Sequence, residues 1–174
     1  MTKARPALIA LMGLAPLLAA MGPSQPRNAP PARPTPSGLP VPRYVSLKFA
    51  DVNARAGPGD DSRLLWVYHA RSLPVQVVAE TDEWRRICDP DGGLAWVHKR
   101  TTDGRRTVMR LSAQPLPLLS SPRPDGRPKA YLKGRALADL DRCENGWCRI
   151  KAGAASGWAP ATEVWGTQEA AQCR

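Results

Sequence analysis

The residues of this chain with the most chemical potential are four cysteines, two histidines and several arginine-rich stretches. Cys88 closely follows Arg85 and Arg86, and neighbouring cations lower a thiol's pKa. A nucleophile, however, needs a base or a metal beside it. His69 and His98 sit in or next to strand-like runs, with no Asp or Glu at a telling spacing. The cysteine spacing matches no standard zinc pattern. Ala56-Gly57-Pro58-Gly59 lacks the Lys and the helix of a phosphate-cradling loop. The expectation is a chain that is no enzyme, holds no metal and needs no cofactor. Ligand gripping remains, and its candidates are aromatic and basic: Trp66 with Tyr68 on one strand face, and Arg85 with Arg86. The later Arg123, Arg127, Lys129, Lys133 and Arg135 are a second set able to meet anions.

The context of the cysteines comes from the N-terminus. Lys3 and Arg5 precede an uncharged apolar run at 7–21, and small residues follow at Ala19, Ala20 and Gly22. This is the pattern of a secretory signal over residues 1–22, and it implies a periplasmic or secreted protein. The run is short of the ~20 residues that span a bilayer, so membrane contact is expected only through this segment if it stays uncleaved. In an oxidising compartment four cysteines pair in one of three ways. Cys143 and Cys148 flank Glu144-Asn145-Gly146-Trp147, a turn-like segment between strand-like ones, which suits a hairpin disulfide. The remaining pair is then Cys88 with Cys173.

Residues 23–42 hold eight prolines in twenty positions and almost no bulky apolar side chain. Such a segment cannot bury a core and is expected to be a disordered or extended linker. Its Pro31-Ala32-Arg33-Pro34 has the PxxP form that proline-groove domains recognise.

The elements that must position the candidates are short. Nineteen Pro and fourteen Gly in 174 residues favour turns and strands over long helices. Leu-Leu-Trp-Val-Tyr-His at 64–69, the alternating run at 73–79, Trp84 to Cys88 and Leu94 to His98 read as strands, separated by Glu80-Thr81-Asp82-Glu83 and Asp89-Pro90-Asp91-Gly92-Gly93. Val52-Asn53-Ala54-Arg55 leads into a turn at Gly57-Pro58-Gly59. A second copy follows. Trp84-Arg85-Arg86-Ile87 and Trp96 recur as Trp147-Cys148-Arg149-Ile150 and Trp158, twelve residues apart in the first copy and eleven in the second. A supersecondary unit used twice predicts repeats at 43–102 and 103–166, with a tail at 167–174. Residues 107–111 read as a strand joining the two units. The matched positions of Trp84, Trp96, Trp147 and Trp158 suggest structural core roles, and Gly57 and Gly59 a structural turn.

Val52-Asn53-Ala54-Arg55-Ala56-Gly57-Pro58-Gly59, Leu65-Trp66-Val67-Tyr68, Trp84-Arg85-Arg86-Ile87 and Trp96-Val97-His98, in that order, resemble the bacterial SH3-like (SH3b) family, in particular exported proteobacterial proteins with tandem copies. The second copy lacks the Arg-x-Gly-Pro-Gly opening. The resemblance implies an all-β chain of two tandem small SH3-like β-barrels and a binding role in the cell envelope.

Formal net charge is +10, of which the first 42 residues hold +4. Export and the lack of a dense basic stripe argue against a nucleic-acid partner. The expected function is an exported, non-enzymatic binding protein that recognises cell-wall peptidoglycan. The alternative is a protein-interaction adaptor for an envelope enzyme or secretion complex.

Overall fold

A computed structural model describes residues 35–173. The signal segment expected at 1–22, and the linker up to residue 34, lie outside the described residues.

The first half forms β1 (Arg43–Leu47), β2 (Asp51–Arg55), β3 (Leu64–His69), β4 (Pro74–Glu80), β5 (Trp84–Cys88), β6 (Leu94–His98) and β7 (Thr102–Asp103). They pair antiparallel in the order β3-β2-β6-β5-β4-β1-β7. The second half forms β8 (Thr107–Met109), β9 (Leu116–Leu119), β10 (Pro128–Leu132), β11 (Leu137–Glu144), β12 (Trp147–Ala152) and β13 (Ala155–Pro160), in the order β10-β9-β13-β12-β11-β8. One order maps onto the other, β3 on β10 and β1 on β8. The closing β1–β7 pair has its counterpart in a single bridge between Met109 and Trp165. The described residues are therefore all-β apart from two single 3-10 turns, two tandem small barrels, as the repeat predicts.

The strand expected to join the units, at 107–111, is instead β8, the first strand of the second barrel. Its equivalent β1 gave no alternation in the sequence because it is covered on both faces. Val45 and Leu47 face the first core, while Tyr44 and Ser46 are buried too. A strand buried on both sides carries no period-2 signal.

Each barrel has its own apolar interior. The first contains Leu47, Val52, Val75, Val77, Ile87 and Val97; the second contains Val108, Leu118, Leu132, Cys148, Ile150 and Val164. The barrels also share a joint. Met109 of β8 packs into the first core. Thr107 Oγ1 donates to the Ser72 carbonyl at 2.8 Å and lies 2.7 Å from Ser46 Oγ. Arg135 donates twice to the Asp91 carboxylate, at 2.8 and 2.9 Å. Tyr44 and Trp165 meet edge to face, centroids 4.9 Å apart, beside the Cys88–Cys173 disulfide. The other disulfide joins Cys143 and Cys148, directly opposite one another with Cα atoms 4.0 Å apart. Asn145 and Gly146 between them both have positive φ, which is what a two-residue type I′ hairpin requires.

The end of the proline-rich stretch is not free. Residues 35–42 fold against the first barrel, with Val41 packed on its core. Ser37 donates to the Glu80 carboxylate through both its N–H and its hydroxyl, and Arg43 pairs with the same carboxylate. Glu80 is 1 % exposed at its side chain. Burial acts to raise its pKa, but the hydrogen bonds from Ser37, Arg43 and Thr35 outweigh it and hold the group at about 2, down from 4.5. A depressed carboxylate contributes stability above its unfolded pKa and loses it as pH falls through the folded one. Between pH 4.5 and 2 the chain should lose up to about 3 kcal/mol from this site. The protection factor of the Ser37 amide should fall over that window, and Glu80→Gln should remove the fall. A protection factor that tracks pH identically in both proteins would show that Glu80 does not hold the strap.

Candidate functional site

Directly opposed residues in an antiparallel pair project to the same face. That rule sorts the candidates. Arg85 opposes Val97 and Ile87 opposes Ala95, and Ile87, Ala95 and Val97 belong to the first core. Trp84, Arg86 and Cys88 therefore face outward, opposite His98, Trp96 and Leu94. On β2, Val52 and Ala54 point in, and Asp51, Asn53 and Arg55 point out. Arg55 opposes Trp96 on its other side, so Arg86, Trp96 and Arg55 form one row across three strands.

This outer face carries a cleft of about 300 Å3, lined by Asp51, Asn53, Arg55, Asp60, Trp84, His98, Arg100 and Thr101. Its floor is aromatic: Trp84 and His98 rings lie 5.2 Å apart at 50°. His98 Nδ1 accepts from the Arg100 N–H at 3.2 Å, at the start of a single 3-10 turn over Lys99–Thr101. In the neutral ring the proton is then on Nε2. Arg55 Nη1 donates to the Ser62 carbonyl at 2.8 Å, which ties the wall to the loop carrying Gly57, Gly59 and Asp60. A Cβ at Gly57 would come within 2.9 Å of Ser62 Oγ, so that loop is tight at Gly57. The cleft presents two arginines and two aspartates around an aromatic base.

The structure places the sequence-predicted ligand residues differently. Trp66 opposes Ala54 and Tyr68 opposes Val52, so both point inward. Tyr68 is buried and donates to Asp89 Oδ2 at 2.9 Å; burial, then the Asp89 charge, pushes its phenol well above the usual range. Trp66 is half-buried against the core, edge to face with Tyr68. Arg85 is also interior, donating to Thr102 Oγ1, with its Nε 3.7 Å from Glu80. Tyr68 and Arg85 thus offer no open surface. Arg86 alone of the four is exposed, beside Trp96.

Of the four repeated tryptophans, Trp84 and Trp158 are buried and Trp96 and Trp147 half-buried, all outside the two interior apolar clusters. Trp84 and Trp96 lie on the outer face of the first barrel, Trp147 and Trp158 on that of the second. Trp158 is covered by the Arg142 guanidinium at 5.0 Å. The position equivalent to Arg142 is Ala79, so Trp96 has no such cover from β4. Asp60 and Arg100 carried no signal in the sequence, and Asn53 none that pointed to a ligand. The one hint was the alternation Asp51-Val52-Asn53-Ala54-Arg55, which separates an outward polar set from an inward apolar one.

His69 stands at the end of an edge strand, exposed and paired with Asp51. Among the described residues, no group of three or more His, Cys, Asp or Glu is placed to hold a metal ion.

The profile of the family described as Bacterial SH3 domain matches residues 48–104 and, a second time, residues 112–166. No curated protein matches the sequence. Among solved structures the chain is similar to NlpC1 from Trichomonas vaginalis, at 14% identity and a TM-score of 0.34, over 76% of this chain and 49% of that one. NlpC2 from the same organism is similar at 14% identity and a TM-score of 0.33, over 71% and 48%. The chain spans about half the length of these proteins.

Proposed function

Since the chain belongs to the bacterial SH3 domain family, whose members are binding modules, we propose that it is an exported, non-enzymatic envelope protein that recognises peptidoglycan through the outer face of its first barrel. The observation that carries this is the cleft around Trp84 and His98, with Arg55 and Arg100 set among Asp51 and Asp60. A uniformly anionic polymer would meet like charges there. A wall stem peptide carries both carboxylates and amino or amide groups and finds a partner for each. The aromatic floor and the adjoining Trp96 give apolar contact without a deep slot. The four cysteines serve as the two cross-links Cys88–Cys173 and Cys143–Cys148. The amino-terminal signal pattern supports export.

The test is co-sedimentation of the chain with purified sacculi at low and high salt. Asn53→Ala with Arg100→Ala should weaken pelleting at least about ten-fold, a loss of roughly 1.4 kcal/mol, with an unchanged thermal midpoint. Trp66→Ala should instead lower the midpoint and leave the affinity of the folded fraction intact. Pelleting of the double variant equal to that of the parent would remove the cleft from the reading. Loss of all pelleting above about 0.3 M salt in the parent would mean simple charge attraction.

A further inference from the structure

The internal repeat allows one barrel to be compared with the other at equivalent positions. On the first barrel, β4, β5 and β6 bring Gln76, Cys88 and Leu94 into one cross-strand row on the outer face, with the bulge residue Val78 beside it. The chain's own tail lies on this row. Cys88 is bonded to Cys173. Gln76 Nε2 donates to the Ala170 carbonyl at 2.9 Å, and the Gln172 N–H donates to Gln76 Oε1 at 2.8 Å. Val78, Leu94 and Cys173 pack together against Cys88. This part of the barrel is thus a seat for a short irregular peptide, gripped through its backbone.

On the second barrel the equivalent row is Asp139, Lys151 and Ser156, with the bulge residue Asp141 beside it. Among the described residues no segment lies on it. It is an open cleft of about 500 Å3, to which Arg149 and Ala154 also contribute. Asp141 is already engaged by Arg142 at 3.3 Å and Arg149 at 3.7 Å. Lys151 has no carboxylate partner among the described residues.

We infer that this cleft is a second seat of the same kind, and that it takes a short acidic peptide segment of a partner protein. The chemistry follows from the substitutions between the two rows. Gln76, Val78 and Cys88 suit a permanent, covalently fixed occupant. Asp139, Asp141 and Lys151 suit an exchangeable one: Asp139 accepts a backbone N–H, and Lys151, with Arg149 already on Asp141, receives the partner's carboxylate. Exposed charge pairs contribute little, so the affinity is weak, with a Kd on the order of 100 μM. This site is separate from the wall-binding cleft of the first barrel and does not depend on that reading.

The experiment is an amide NMR titration of the 15N-labelled chain with three pools of end-blocked hexapeptides, having Glu, Gln or Lys fixed at the third position. The Glu pool should give saturable shifts confined to β11, β12 and β13, and the Gln pool should bind at least about three-fold more weakly. The Lys pool should give none. Lys151→Glu, at an exposed position, should abolish the shifts while leaving the thermal midpoint and sacculus pelleting unchanged. Absence of shifts with the Glu pool up to several millimolar, or equal shifts from all three pools, would overturn the inference. So would shifts at these strands from soluble wall fragments but not from the Glu pool, which would give the cleft to the wall.

Discussion

Replacing Cys88 and Cys173 together by alanine is expected to lower the stability of the chain by about 4.5 kcal/mol, the value the chain-entropy model gives for a cross-link of this span. The bond joins positions 85 residues apart, from the first barrel to the tail that leaves the second. In the unfolded ensemble it closes residues 88–173, β6 and β7 of the first barrel and all of the second, into one loop, and that constraint is what the variant loses. Alanine, rather than serine, avoids leaving a hydroxyl where Cys88 is fully buried. Urea unfolding without reductant measures the loss. The Cys143–Cys148 bond, five residues apart, should be worth only about 2 kcal/mol on the same argument. If the long cross-link changes stability by less than 1 kcal/mol, the tail is held by its hydrogen bonds to Gln76 and Tyr44, and the joint owes little to the covalent bond.

Trp165→Ala is the second large effect, expected to cost about 3–5 kcal/mol. Trp165 is 6 % exposed, edge to face with Tyr44, and in the same cluster as the Cys88–Cys173 bond. Its backbone bonds to Met109, 2.9 and 3.0 Å, do not depend on the side chain and should survive. What disappears is the apolar contact between β1 of one barrel and the closing bridge of the other. Calorimetry should therefore show more than a lower midpoint: the single cooperative transition should split in two as the barrels melt independently. A variant that keeps one transition at the parent midpoint would place the coupling elsewhere, in the Thr107–Ser46 contact or the Arg135–Asp91 pair. The two variants share neighbours, so their effects should not add.

Much of this architecture is written in the sequence, because it depends on local pattern. The Trp-to-Arg-Ile recurrence gives the duplication, the alternation and turn residues give most of the strands, and Asn145-Gly146 between two cysteines gives a hairpin with its disulfide. β3 falls on the Leu-Leu-Trp-Val-Tyr-His run at 64–69. Strands hidden on both faces escape such reading: β1 carries no alternation, and its counterpart β8 reads as a connector.

The site was legible only in part. Trp66 and Tyr68 stand two apart, as do Trp84 and Arg86, and nothing local tells which pair faces the core. Side chains alternate along a strand, so the assignment turns on which partner strand lies opposite. Ala54 and Val52 across from Trp66 and Tyr68 take them inward; Ile87, one residue off Arg86, takes the core side and leaves Trp84 and Trp96 outside. The sequence by itself determined the duplicated all-β barrel and the membership of its elements, since these follow from composition and periodicity. Only the tertiary structure decided which aromatics line the outer cleft, that Arg85 is spent on the interior, and that the tail lies along a row of the first barrel whose equivalent on the second no described segment covers. Those outcomes depend on register between strands distant in the chain, and no short window of sequence carries that information.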